Sequence, residues 1–450
     1  MPHTFGSEYI TILKQNPSFR NLWYGQVISE LGDWLNSIAI YALILELGDS
    51  GMALAGVMMA KLFPFVLVSP IAGVVVDRFS RKWVMILSDL GRFLLVLGFL
   101  AVDSSDDVWL IFSLTALAIA LAGFFEPARS AIIPSLIPRK DLVVANALSS
   151  STWSIMLAFG AAVGGVVVSI AGIRTAFLLD AVTFLFSAWF IFKLPEEKEE
   201  DAARARLSRK DGGWKNFIEG VKYLLSEPII LALSLLKSGL ALAGCVMTLA
   251  PLYAHQMYAR PQDVSLAIGL LYASRGVGAA LGPPLVRKYF GDSAQVLHIS
   301  IGAGFLLSGF FYYLFSFTTT LGLACTMLGL ATLSGSLIWV FSSALIHMEA
   351  KGPLLGRVFS AELALMTLIM GLSNWAAGAS IDYGAMTAYE VSRWMAVLIT
   401  LPGFIWFAFV FLVRKRLAKG KCVGSVCSID PSGFNPVAPM SGDTIEEPRL

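Results

Sequence analysis

Five polar side chains stand on one line in the first apolar segment of the chain: Gln26, Glu30, Asp33, Ser37 and Tyr41. Their spacing is i, i+4, i+7, i+11 and i+15, which is one face of an α-helix. Val27, Leu31, Trp34 and Ile38 occupy the other side. Two of the five are carboxylates one turn apart, inside "GQVISELGDWLNSIAI", a stretch otherwise suited to lipid. An ionisable residue at the centre of a bilayer costs about 2.5–3.5 kcal/mol on insertion scales, so each one needs a reason. The reaction open to a partly desolvated carboxylate beside a like charge is reversible protonation. Asp33 is therefore the expected proton-coupling residue, with Glu30 the second candidate. The other reading of Glu30 is a neutralised ion-pair partner of Lys61 or Arg92. Gln26, Ser37 and Tyr41 are expected to line the same wet face.

Other charges lie at membrane depth. Asp89 and Arg92 are three residues apart and suited to pairing, with a structural role at a gate favoured over substrate contact. Glu126 and Arg129 flank Pro127 and are expected to join Asp77 and Arg81 in a gate network. Asp180 is flanked by apolar residues and fits either a cavity or a packing role. In the second half, Lys237, Arg275 and Glu362 are candidate cavity residues. There the two cations suit either an anionic substrate or a counter-charge for Glu362. Tyr272, Trp339, Phe341 and Trp375 line a pocket or, as is commoner for aromatics in membrane spans, serve packing and interfaces. "RGVGAALG" from Arg275 has glycines but no preceding strand, so it reads as helix packing rather than a dinucleotide loop. No phosphate-binding loop and no His/Cys cluster with metal-ligand spacing is found, and neither a cofactor nor a metal is expected. Cys422 and Cys427 read as free thiols, not as a zinc site.

The elements that must position these residues follow from composition. Of 450 residues, 56% are hydrophobic and 14% charged, where soluble domains carry about 25% charged residues. Mean hydropathy is +0.73. An all-α membrane protein is implied, and a net charge of +2 gives no attraction to nucleic acid. About twelve spans of membrane-crossing length are read at 20–47, 52–76, 83–102, 108–128, 142–171, 174–194, 228–254, 264–286, 295–317, 320–346, 357–381 and 388–413. They form two six-helix bundles, 20–194 and 228–413, preceded by a cytoplasmic N-terminus, 1–19. The charged stretch 195–227 is read as a cytoplasmic linker containing a surface helix from Trp214 to Leu225, and 414–450 as a disordered cytoplasmic tail. With both termini inside, the inner connections hold Arg78, Arg81, Lys82, Arg139, Lys140, Arg287, Lys288, Lys351 and Arg357, and the outer ones little beyond Arg174, Arg260 and Arg393. That asymmetry sets orientation. "GVVVDRFSRK" at Gly73 pairs with "GPPLVRKYFG" at Gly282, and "SAIIPSLIPRK" at Ser130 with "SALIHMEAKG" at Ser343, at offsets of 209 and 213 residues. Two similar offsets indicate a duplicated six-helix unit, as in many secondary transporters.

"GVVVDRFSRK" also resembles the signature loop of the major facilitator superfamily, G-x-x-x-D-R-x-x-R-K. Gly73 would allow close helix approach, Asp77 would sit at a helix end, and Arg78, Arg81 and Lys82 would hold the loop on the cytoplasmic side. "NPSFRNLWYGQVISELGDWLNSIAI", "FFEPARSAIIPSLIP" and "FLLDAVTFLFSAWFI" resemble the macrolide and siderophore exporters of that superfamily, which include the enterobactin exporters. "GAAVGG", with Gly160, Gly164 and Gly165, resembles an antiporter motif, although Ala161 stands where the family has Pro. Plain small-residue packing explains it equally well. The resemblance implies a monomeric secondary transporter, not an enzyme, in a bacterial inner membrane. It implies proton-coupled efflux of an amphipathic small molecule (a drug, macrolide or siderophore) by alternating access. A lysophospholipid transporter of the same fold and a non-transporting scaffold or receptor are the other readings.

Overall fold

A computed structural model describes residues 7–48, 50–196, 213–258, 260–291, 293–350 and 355–417. The described residues are helical almost throughout. A short helix α1 (Ser7–Gln15) precedes α2 (Pro17–Leu47), α3 (Gly51–Arg78), α4 (Arg81–Gly98), α5 (Val108–Leu136), α6 (Leu142–Ala171) and α7 (Ile173–Phe192). After the linker come α8 (Gly213–Ser226), α9 (Pro228–Ala241), α10 (Val246–Met257), α11 (Pro261–Phe290), α12 (Ala294–Phe315), α13 (Leu321–Glu349), α14 (Leu355–Asp382) and α15 (Ala388–Leu417). Helix starts carry ordinary signals: Pro17, Pro228 and Pro261 open α2, α9 and α11, where a missing N–H costs nothing. Ser50 caps α3 by accepting from the Ala53 amide at 3.0 Å. Gly172 is the whole connection between α6 and α7, and its φ of +85° is one that side-chain-bearing residues rarely adopt.

Twelve membrane-crossing helices are present among the described residues, the seventh formed by α9 and α10 together. Their outer surfaces are apolar: Leu94, Ile170, Phe404 and Ile405 are all exposed, as expected where lipid is the solvent. In the first half α2 packs on α6 and α7, α5 on α3 and α4, and α4 on α7. In the second half α13 packs on α11 and α12, α12 on α15, and α9 on α14. The second set repeats the neighbour pattern of the first. The halves meet through two crossed pairs, α6 with α11 and α3 with α14.

Those crossings are tight toward one end of the bundle, the far end, which holds Gly48, Gly172 and the α14–α15 connection. A Cβ on Gly165 would come within 2.8 Å of the Gly269 Cα, and one on Gly378 within 2.7 Å of the Gly51 carbonyl oxygen. Asp382, the last residue of α14, accepts from the Gly51 amide (2.7 Å), the Met52 amide (3.0 Å) and the Ser50 hydroxyl (2.7 Å). It thus caps a helix of the opposite half. Toward the other end, which holds the Phe79–Ser80 connection, the same faces are bare. Phe63 of α3 packs on Gly371 of α14, but Leu67, Ile71 and Val74 on the same face of α3 are exposed. Val143, Asn146 and Ser150 are exposed on α6. The molecule is closed at the far end and open at the signature-loop end.

Three expectations change here. Gly73 makes no close approach, since nothing lies within 4 Å of a Cβ built there. It lies toward the open end of α3. The linker helix forms as expected but docks: α8 packs on α14, with Gly220 against the Arg357 backbone. The polar N-terminal segment contains a helix, α1, whose Ile12 is buried, a contact that its composition does not suggest. Residues 197–212 of the linker, Lys351 and the tail from 418, with Cys422 and Cys427, lie outside the described residues.

Candidate functional site

The polar line on α2 survives folding, but its members meet different fates. Gln26 at one end and Tyr41 at the other are buried, whereas the side chain of Asp33 is 53% exposed. The wet face is therefore confined to the middle of the helix, where the open cleft reaches it. Asp33 stands 3.9 Å from Arg92. Arg92 in turn binds the fully buried Asp89, and its guanidinium lies over the rings of Phe125 (4.8 Å) and Phe184 (4.4 Å). The Asp89–Arg92 pair thus reaches the centre of the first half and touches the proton-site candidate. It does not sit at the gate.

Toward the signature end, Glu30 pairs with neither Lys61 nor Arg92. Its Oε1 accepts from the Gln26 amide nitrogen at 2.8 Å, and its Oε2 is buried without a partner. Gln26 also donates to the Ser149 carbonyl (3.1 Å) and accepts from Arg129 Nη1 (2.9 Å). Arg129 holds Glu126 at 2.7 Å. In place of the expected gate network, Arg129 bonds to Gln26 of the α2 line and to Glu126 beside it on α5. The reason is positional: Arg129 lies about two turns, and Glu126 nearly three, before the end of α5 at Leu136, above the level of the signature loop. In that loop Lys82 is buried and donates to the Leu194 carbonyl at 2.6 Å, satisfying an orphan acceptor past the end of α7. Arg81 is buried beside it, Asp77 occupies the last turn of α3, and Arg78 closes that helix.

Toward the far end, Lys61 donates to Ser37 Oγ (2.6 Å) and Tyr41 OH (3.3 Å) and sits 4.9 Å over the Tyr41 ring. Tyr41 is stacked on Tyr272 of the second half, with ring centres 5.6 Å apart and planes 15° apart. Trp34 touches the same ring at 5.8 Å. Tyr41 thus departs from its expected place on the cavity lining and forms part of a plug that seals the far side. Asp180 is buried and held by Asn36 at 2.7 Å and by Thr183, which makes it a packing element.

In the second half Lys237 and Glu362 form a buried pair at 2.8 Å, with Lys237 over the Trp339 and Phe359 rings at 5.0 and 5.2 Å. The counter-charge of Glu362 is Lys237. Arg275 is left with the Tyr272 ring 5.4 Å away and no hydrogen-bond partner for Nε or Nη1. Phe341 is core, while Trp339 and Trp375 are exposed. Between α9 and α10 the helix tightens into a 3₁₀ turn, Leu242–Cys245, whose Leu242 carbonyl accepts from Ser373 at 2.6 Å. Such breaks mark hinges; no proline or glycine pair announces this one.

The glycines of "GAAVGG" are packing surfaces. A Cβ on Gly160 would lie 2.8 Å from Trp34, one on Gly164 3.1 Å from the Trp34 carbonyl oxygen, and Gly165 meets Gly269. "RGVGAALG" likewise packs: Gly276 lies against Ala158, and Gly278 against Gly329.

Two helical bundles around a cleft lined by a few paired charges are the architecture of a secondary transporter. The model of the Major Facilitator Superfamily matches residues 22–288, and this chain belongs to that family. The uncharacterised MFS-type transporter YfiS of Bacillus subtilis (strain 168) is 25% identical over 90% of this chain and 97% of its own. Macrolide efflux protein A of Streptococcus pyogenes is 25% identical over 78% of this chain and 86% of its own. Among solved structures, the nucleoside transporter NupG aligns with a TM-score of 0.63 at 15% identity, covering 87% of this chain and 98% of that one. A bacterial homologue of the human lysosomal transporter Spinster, inward-facing and occupied, aligns with a TM-score of 0.66 at 15% identity, covering 89% and 97%. These structures share the fold.

Proposed function

We propose that the protein is a proton-coupled exporter of amphipathic small molecules that works by alternating access, with Asp33 as the proton-coupling residue. One observation carries the reading: Asp33 is the exposed carboxylate of an otherwise buried charge network, and it faces the open side of a molecule whose other side is sealed. A proton can reach it from one compartment only. Protonation removes its attraction to Arg92, 3.9 Å away, and so alters the network that ties α2 to α4. Glu30 is the second proton-coupling candidate, through Gln26 and Arg129. The basic connections at the open end, Arg78, Arg139, Lys140, Arg287 and Lys288 among them, support an inward-open state with both termini in the cytoplasm of a bacterial cell. The efflux direction rests on relatives such as macrolide efflux protein A. The protein acts as a monomer in this reading, and the substrate enters from the cytoplasm or inner leaflet.

The test is substrate-driven proton movement in everted vesicles, with ethidium, erythromycin and enterobactin as trial substrates. Wild type should release protons in step with transport. Asp33→Asn should lose the coupling while keeping the expressed level. Coupled transport by Asp33→Asn at the wild-type rate refutes the assignment. Glu30→Gln run in parallel separates the two acids.

A further inference from the structure

A cavity separate from the central cleft opens at the far end, inside the first half and away from the seam. It lies between the last turns of α2, the 3₁₀ turn Phe99–Ala101 that follows α4, and the first turns of α7. Its volume is about 320 Å³, the low end of the range for small-molecule sites. Its floor is apolar: Phe99 and Phe177 are buried and stacked, with ring centres 5.0 Å apart and planes 14° apart. The one-residue connection at Gly172 brings Ile173 and Arg174 to the rim. All of its described lining residues belong to the first half, so the space does not depend on the two halves meeting.

Three charged side chains stand at the mouth: Glu46, Asp103 and Arg174. One rim is balanced, because Arg174, at the positive start of α7, holds Asp103 at 2.7 Å. Glu46 on the other rim has no hydrogen bond or ion pair among the described residues. Its position is adverse as well. It is the last residue but one of α2, where the unsatisfied carbonyls form the negative end of the helix and favour a cation over an acid. Two carboxylates against one guanidinium leave the mouth with one negative charge, and the end of α2 adds to it.

We propose that this cavity is a binding site for a small organic ammonium ion, with Glu46 receiving the ammonium group and Phe99, Phe177 and Ile173 receiving its apolar body. An ammonium carries the donors that Glu46 lacks, and its charge is opposite to that of the mouth and of the helix end. The rings below would add nothing for a bare metal ion, and an anion would be repelled at the mouth. The volume admits one ring on a short chain and not a macrolide-sized molecule. The site is filled from the far side of the molecule, opposite the open cleft. An occupant touches α2, which carries Asp33, and the turn that continues α4, which carries Arg92. Binding needs no gradient, so the site stands whether or not the protein couples transport to protons.

The test places a reporter on the rim: Ile173→Cys in the full chain, with its own four cysteines replaced, purified into nanodiscs of neutral lipid. The rate of labelling by N-ethylmaleimide is measured against rising concentrations of phenethylammonium, 2-phenylethanol or 3-phenylpropionate, which share a ring and differ in charge. Phenethylammonium should protect the thiol at a concentration about three- to tenfold below that of the alcohol, between the worth of an exposed ion pair and that of a hydrogen bond to a charged group. The carboxylate should protect least. Glu46→Gln should bring the ammonium and the alcohol within about twofold of each other, and Asp33→Asn should leave their difference unchanged. Equal protection by the three probes, or none by any, overturns the proposal. A preference for the ammonium that survives Glu46→Gln overturns it too, as does one that Asp33→Asn abolishes, because the ammonium is then held in the cleft. Protection by calcium chloride in place of phenethylammonium also overturns it, since the acids then hold a metal ion. The three-probe comparison needs only the reporter chain, so it decides the question even if Glu46→Gln does not fold.

Discussion

Replacing Asp382 by alanine should open the far end of the molecule. Asp382 takes three hydrogen bonds from the first turn of α3, at 2.7, 2.7 and 3.0 Å. Its charge also faces the positive end of that helix. Loss of an N-capping side chain costs about 0.5–2 kcal/mol, and the exposed position of Asp382 favours the lower half of that range, because water competes for the same donors. The capped and capping helices belong to different halves, so the loss falls on the closed arrangement and not on the stability of either bundle. About 0.5–1.25 kcal/mol corresponds to a two- to eightfold rise in the far-end-open population. The assay is a spin-label distance distribution between Asp106→Cys and Thr319→Cys, one on each half at the far end, in a chain whose own four cysteines have been replaced. The longer-distance fraction should rise in Asp382→Ala. Asp382→Asn, which keeps one acceptor oxygen, should fall between the variant and wild type. Raising the salt should shrink the wild-type advantage, since the dipole part is screened. An Asp382→Ala distribution that overlays the wild type would refute the latch.

The buried Lys237–Glu362 pair should behave as a unit: Lys237→Met alone should destabilise the protein by about 3–5 kcal/mol, and Lys237→Met with Glu362→Met should recover most of it. Thermal melts of the two singles and the double measure this, and simple additivity would contradict it. Gly269→Ala places a methyl 2.6 Å from the Ala161 carbonyl oxygen and from the Gly165 Cα; neither atom can yield, so the same label pair should report a separated far end. Gly73→Ala meets open space in this conformation and should leave the far-end distances unchanged. It should slow transport if the signature end closes during the cycle; wild-type transport by Gly73→Ala would show that no tight approach forms there.

Much of the fold was legible because the bilayer imposes a length. The span read at 142–171 is the helix Leu142–Ala171, and the surface helix read at Trp214–Leu225 is Gly213–Ser226. The α2 line was legible because helical spacing alone puts Gln26, Glu30, Asp33, Ser37 and Tyr41 on one face. Its divided environment was not legible: Tyr41 is sealed by Tyr272, from the opposite half of the chain, and Gln26 by Arg129. Nothing local records such meetings. Asp382 looks like an ordinary loop charge for the same reason, since its partners lie on the first turn of a helix in the other half. Gly73 shows a different limit. Its open surroundings belong to one conformation, whereas a sequence is shared by every conformation the chain visits. The break at Leu242–Cys245 was hidden by residues such as Leu242 and Ala243 that favour an unbroken helix, with the Ser373 hydroxyl supplying what the break requires from α14.

The stacked plug has an electrical consequence. The cleft is open as far as Asp33, whose side chain is 53% exposed, so that side of the molecule is at nearly the potential of the adjoining compartment. The membrane voltage must then fall across the dry remainder, through Tyr41, Tyr272, Ile38, Ile40 and Ile44, all of them buried. One elementary charge carried through the full field exchanges about 2.3 kcal/mol per 100 mV. The step that moves a charge past this plug is thus the step at which the cell's voltage acts on the protein, and a thinner plug would steepen the field there without changing a single charge.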